Sequence, residues 1–234
     1  DGKPVDPAQL QVRSAFLSDE TFAAAPAGWL PDAGHWEMTS RWACSPQFTW
    51  FGGKGVGSGR AVLWSKQRRL GDQELDVFVS QSMFARKPPY YDGPLNIGVA
   101  LCTDGISLAS GYFLLFGLYD QPTSLYRGDK LVARCSDLIR PDLREQIDAL
   151  ATLIHHHWFQ LRLVRAGGKI EGFVDGRLVV SYEDPDPLAG GQAALATCGP
   201  NGLMVARVRH SFERGGEAAS PFSDSPPAPA ATRA

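Results

Sequence analysis

The sequence predicts an all-β domain, a sandwich of two antiparallel sheets carrying one short helix. Two observations carry that prediction. Short runs of alternating apolar and polar residues recur along the chain, bounded by Gly, Pro, Asn or Asp. Such runs read as strands joined by tight turns. In addition, residues 158–182 read as two hairpins in succession. A chain of many strands and so little helix packs as a sandwich, not as a parallel α/β sheet.

Strands are expected at 60–66, 73–81, 95–102, 112–118, 124–126, 130–133, 158–165, 169–175, 177–182, 192–197 and 203–212. The first hairpin turns through Ala166-Gly167-Gly168 and the second through Asp175-Gly176. Asp-Gly between alternating strands favours a type I′ turn, whose twist matches that of the strands it joins. The helix is expected at 137–154, where Leu143, Ile147, Leu150, Leu153 and Ile154 recur at helical spacing. Acidic Asp142 and Glu145 near its start suit the helix dipole.

The chain has 234 residues, and large β-sandwiches of about 200–250 residues form one domain. Residues 1–9 read as a leader, 10–213 as the folded domain and 214–234 as a flexible tail rich in Pro, Ala and Ser. The first residue is Asp1, not Met, which reads as a processed or engineered start. A net charge of −2 argues against a general nucleic-acid binder, which needs a basic face. No apolar run approaches the ~20 residues of a membrane helix. Cys44, Cys102, Cys135 and Cys198 are too widely spaced for a CxxC motif. Two disulfides formed in an oxidising compartment, or buried free thiols, are both open readings.

The run Gly52–Gly59 satisfies neither the dinucleotide nor the P-loop pattern and reads as a loop between strands. His155-His156-His157 cannot all face one metal ion from a strand, because neighbours point to opposite faces. His157, nearest the strand, could turn inward. The segment 72–78 places Asp72, Glu74, Asp76 and Phe78 on one strand face and Leu75 and Val77 on the other. Successive carboxylates there stand about 7 Å apart, a spacing compatible with glycoside chemistry or with a solvated face. Trp36, Trp42, Trp50, Phe51 and Trp64 cluster in one third of the chain. Core packing suits each singly, but one or two could floor a sugar groove shared with Arg41 and Asn96.

Several motifs then recur in an order characteristic of one fold family. They are Gly34-His35-Trp36-Glu37, Leu63-Trp64-Ser65-Lys66, Gly71-Asp72-Gln73-Glu74-Leu75, Ser110-Gly111-Tyr112-Phe113-Leu114, Leu125-Tyr126-Arg127-Gly128, His157-Trp158 and Val174-Asp175-Gly176. Over residues 16–212 the chain resembles concanavalin A-like jelly-roll sandwiches, including laminin-G-like domains and the bacterial 3-keto-disaccharide hydrolase group. Glu74-Leu75-Asp76-Val77-Phe78 is similar to the catalytic strand of laminarinase-type glucanases. That resemblance implies Glu74 as nucleophile and Asp76 as its helper, with Phe78 standing at the general-acid position.

The resemblance implies a secreted, periplasmic or cell-surface protein that binds or processes a glycan in a concave-sheet groove. A glycoside hydrolase or lyase would use Glu74, Asp76 and His157. A binding module would use Arg41, Trp42, Trp50, Trp64 and Asn96. A third reading is a non-catalytic structural module of the cell envelope, with its Pro-rich tail as a tether to an envelope partner. Related sandwiches often carry calcium or another divalent metal, for which Asp184 and Asp186 would supply hard oxygen ligands.

Overall fold

The structure is a computed structural model and describes residues 16–24, 26–39, 50–54, 60–82, 97–117, 122–137, 157–198 and 202–218. In chain order the strands are β1 (Phe16–Glu20), β2 (Trp29–Pro31), β3 (His35–Thr39), β4 (Trp50–Lys54), β5 (Ala61–Ser65), β6 (Gln67–Ser82) and β7 (Ile97–Thr103). They continue as β8 (Tyr112–Phe116), β9 (Thr123–Arg127), β10 (Lys130–Cys135), β11 (Phe159–Ala166) and β12 (Lys169–Val174). β13 (Arg177–Glu183), β14 (Gly190–Thr197) and β15 (Gly202–Ala218) complete the set. A 3-10 turn at Leu108–Ser110 is capped by the Ser107 hydroxyl.

All pairings are antiparallel, and they build two sheets. In sheet A the long strands β6 and β15 pair along their length, and β11, β12 and β13 follow outward from β6. The other edge of β15 is shared: β4 pairs with residues 203–205 and β1 with residues 208–212, and β3 pairs with β4. Sheet B runs β10–β9–β8–β7–β14–β5–β2. β14 belongs to both sheets. Gly190 and Gly191 pair with Leu70 and Arg69 of β6 before the strand turns into sheet B. A side chain at Gly191 would clash with the backbone of Cys102 and Thr103, so only glycine lets β14 cross so closely.

The core lies between the sheets. Leu75, Val77 and Val79 of β6, Phe159, Leu161 and Leu163 of β11, and Leu203, Val205 and Val208 of β15 point inward from sheet A. They meet Val99, Leu101, Leu114, Phe116, Leu125 and Leu195 of sheet B. Each such buried side chain contributes about 1.5–3 kcal/mol of hydrophobic transfer. The inward set follows from strand alternation, so the opposite parity of β6 is left to face outward.

The double hairpin stands as the sequence predicts. Asp175 and Gly176 both have positive φ, 48° and 77°, as a type I′ turn requires. Four strands are not among those expected from sequence. β1 carries Asp19 and Glu20 and is largely exposed, β2 has three residues ending in Pro31, and β4 contains Gly52-Gly53. β3, His35–Thr39, precedes a run outside the described residues. None shows long alternation; β1, β2 and β4 are held by partners far along the chain, and β3 by its neighbour β4. The ladder also passes the boundary set at 213: Arg214, Gly215 and Ala218 pair with Leu70, Arg69 and Gln67.

Of the two cysteine readings, free thiols hold among the described residues: Cys102, Cys135 and Cys198 are unbonded, and of these only Cys102 is buried. Cys44 and most of the expected helix lie outside the described residues. Among the described residues, no helix is long and apolar enough to cross a membrane.

Candidate functional site

The outward face of sheet A gathers the polar side chains that the sequence singles out in β6, and adds others. Register places Asp76 between Arg209 of β15 and Arg162 of β11. Continuing across the sheet, Asp19 of β1 pairs with Arg209, and Phe173 of β12 pairs with Arg162. One transverse row therefore reads Asp19–Arg209–Asp76–Arg162–Phe173. Opposite charges facing one another across strands are favourable. The next rows place Glu74 between Ser211 and Val164, and Phe78 between Arg207 and Gln160.

Side-chain contacts follow this lattice. Gln160 Nε2 donates to both Asp76 oxygens at 2.9 and 3.0 Å, and Arg209 also donates to Asp76. Arg162 lies 3.7 Å from the Glu74 carboxylate, with its guanidinium 4.1 Å from the centre of the Phe173 ring. Arg207 grips Asp19 through two bonds of 2.8 and 2.5 Å. That guanidinium outweighs the effect of burial and holds the Asp19 carboxyl below its usual pKa. Asp76 is only 6% exposed despite facing outward. Asp72 departs from the expected ladder: its carboxylate accepts from Gly167 N at 2.7 Å and so fastens the β11–β12 turn.

Of the sequence-predicted residues that the structure describes, Glu74 and Asp76 share one strand face, while His157 and Trp64 lie apart from them. His157 precedes β11, and its carbonyl accepts from Ser80. Ser80 lies four residues along β6 from Asp76, roughly 13 Å of strand, so His157 does not share chemistry with Glu74 and Asp76. Trp64 lies on sheet B, 2% exposed among Val62, Ala100, Ala194 and Ala196, with its indole donating to Asp32. It faces away from Asp76 across the whole sandwich and cannot floor a groove over it. Trp50 is in β4, with its side chain outside the described set, and Arg41, Trp42 and Asn96 lie outside the described residues.

Asp184 and Asp186 do not fit a cation site. The Asp184 carboxylate accepts from Tyr112 OH and Arg127 Nε, both at 2.6 Å, and from Asp186 N at 3.0 Å. Arg127 thus supplies the positive charge that a metal would bring. Burial opposes ionisation of Asp184, but the bonds from Tyr112 and Arg127 prevail and hold its pKa below the carboxylate norm. The Asp186 side chain is 99% exposed. Among the described residues no group of three or more His, Cys, Asp or Glu could hold a metal ion.

Gln160, Arg162, Arg207 and Arg209 are the residues that sequence reasoning missed. Alternation within 158–165 and 203–212 already places each pair on one strand face. What it lacks is the register that sets them beside β6.

No protein-family model and no curated protein matches the sequence. Solved structures do match in architecture. A Bacillus subtilis protein of unknown function with a galectin-like fold is 12% identical, with 86% of this chain and 99% of that one covered and a TM-score of 0.59. The exoplasmic/lumenal domain of VIP36, bound to Ca2+ and Man3GlcNAc, is 12% identical, with 84% and 90% covered and a TM-score of 0.55. Peanut lectin with a nine-residue peptide is 5% identical, with 83% and 96% covered and a TM-score of 0.55. With its two antiparallel sheets and shared strand β14, the chain has a concanavalin A-like, lectin-type sandwich fold.

Proposed function

We propose that the chain binds a glycan on the outward face of sheet A, around Asp76, and does not cleave it. The observation that carries this reading is the row Asp19–Arg209–Asp76–Arg162, in which Asp19, Arg209 and Arg162 keep part of their surface open and buried Phe173 backs Arg162 from behind, with Gln160 and Glu74 beside it. Carboxylates, amides and guanidinium groups are planar and directional, and together they supply the donors and acceptors that sugar hydroxyls need. Half-buried Phe78 adds an apolar surface next to Gln160. A solved structure of similar fold, the VIP36 domain, holds a mannose-containing glycan, which supports the reading.

Binding is favoured over hydrolysis for two reasons. Both oxygens of Asp76 already accept hydrogen bonds, and Phe78 occupies the place where the glucanase resemblance requires an acid. Retaining and inverting mechanisms alike need that acid. Exposure to glycans implies a secreted, periplasmic or cell-surface location, and the exoplasmic/lumenal setting named for VIP36 supports it. The part of the expected tail beyond the β15 ladder, residues 219–234, remains the proposed point of attachment to an envelope partner.

The test is a glycan array followed by calorimetry on the bound oligosaccharide. Asp76→Asn and Arg209→Gln should each weaken binding by tenfold or more, given about 1.5–3 kcal/mol for a hydrogen bond to a charged group. Trp64→Phe should leave affinity unchanged. If no glycan binds, or if the two sheet A variants bind as well as the parent, the site is misplaced. Release of shorter sugars from the bound oligosaccharide would show an enzyme instead.

A further inference from the structure

The opposite outward face, that of sheet B, carries a separate cavity of about 240 Å3 lined by Leu108, Ala109, Phe113, Leu115, Tyr126, Gly128 and Asp129. Its walls come from β8, β9, the 3-10 turn and the β9–β10 turn. Phe113 and Tyr126 are cross-strand partners, with ring centroids 6.4 Å apart and planes tilted by 33°. The Phe113 ring lies directly over Gly98, where any side chain would displace it. Glycine at 98 therefore sets the depth of the aromatic wall. At the mouth, Gly128 has φ 64°, and a Cβ there would stand 3.3 Å from the Ala109 carbonyl oxygen. The hairpin turn thus keeps the entrance free of a side chain.

The chemistry of the lining is one-sided. Asp129 is exposed, and neither its carboxylate nor the Tyr126 hydroxyl has a protein partner among the described residues. Among the described residues, no Lys or Arg lines the cavity. Aromatic faces present negative potential to a cation, and a nearby carboxylate adds a full charge. The volume is below the roughly 300–1,000 Å3 of drug-sized sites, which limits the occupant to a small group. A neutral sugar would need several convergent polar groups, and this lining is mostly apolar.

We infer that this cavity binds a compact organic cation, an ammonium or quaternary ammonium group on a short stem, between Phe113, Tyr126 and Asp129. The site lies on the other sheet from the glycan face and does not depend on that reading.

Choline, its uncharged isostere dimethylbutanol and a neutral methyl glycoside test it by calorimetry and by NMR line broadening on the intact chain. Choline should bind about two- to fivefold more tightly than dimethylbutanol, the scale of a solvent-exposed cation–π contact. Asp129→Asn, an exposed and conservative change, and Tyr126→Leu should each weaken choline binding several-fold. Asp76→Asn, on the other sheet, should leave it unchanged. Equal binding of choline and dimethylbutanol would reduce the cavity to an apolar cleft and overturn the inference. So would absence of choline binding, or displacement of choline by the methyl glycoside, which would make it a second sugar subsite.

Discussion

His210 and Gln73 face each other inside the sandwich, with Nε2 and Oε1 3.1 Å apart. Both are buried, His210 at 3% exposure, and Gln73 also donates to the Arg69 carbonyl and to Cys102 Sγ. Burial pushes the His210 pKa down to about 3, and the nearby Arg69 charge acts in the same sense. The imidazole is therefore neutral in the folded chain.

This relationship makes stability depend on pH. Unfolding releases a histidine of ordinary pKa, about 6.5. Between that value and the folded one the unfolded chain binds the extra proton, so stability falls as pH falls. The expected slope from this residue is about 1.4 kcal/mol per pH unit below pH 6.5. Urea denaturation from pH 7 to 5 measures it. In His210→Gln the slope should flatten, and an unchanged slope would assign the effect to another group.

The Tyr112–Asp184–Arg127 cluster ties β8 and β9 of sheet B to the loop after β13 of sheet A. Tyr112 OH also accepts from Leu188 N at 3.0 Å. Asp184→Asn should cost about 2–3 kcal/mol, discounted because Arg127 is 31% exposed. Tyr112→Phe should cost about 1 kcal/mol. The double variant should cost less than the sum, as expected for groups sharing one network. Because the folded Asp184 pKa is lowered, its share of stability is complete above about pH 4. That share is lost as pH falls through the folded value.

Gly98 is predicted to tolerate no side chain. A Cβ there would overlap the Phe113 ring and crowd the Leu114 carbonyl. Gly98→Val should cost about 1–3 kcal/mol by overpacking. Phe113→Ala in the same chain should recover part of that loss, and strict additivity would contradict the packing account.

Thermal stability should not respond to reductant. Cys102, Cys135 and Cys198, the cysteines among the described residues, are all free thiols. Alkylation of the unfolded chain without prior reduction should add four labels by mass. Burial raises the Cys102 thiol pKa to about 12, so in the folded chain Cys102 should label last.

Much of the fold is legible in the sequence because its signals are local. Asp175-Gly176 names its own turn, and alternation in β6 correctly separates Leu75 and Val77 from Glu74 and Asp76. The site is less legible because its contacts are not local. Arg209 reaches Asp76 across 133 positions, and Tyr112 reaches Asp184 across 72. From sequence Asp184 looks like an oxygen ligand for a divalent metal, whereas distant residues commit it to an ion pair. Trp64 looks like a companion to the β6 acids because it is close in sequence. Its strand β5 joins the other sheet.

The position of β15 has a consequence for synthesis. This last strand is inserted between β6 and the pair β1 and β4. A nascent chain can form the β11–β12–β13 meander early, but it cannot complete sheet A until residues 202–218 emerge. Until then β6 presents an open edge, the kind of surface that invites pairing with other chains. Pairing over such sequence separations is slow. The face carrying Asp76 and Arg209 is thus assembled last, and a ribosome that stops early leaves a sticky intermediate without a binding surface.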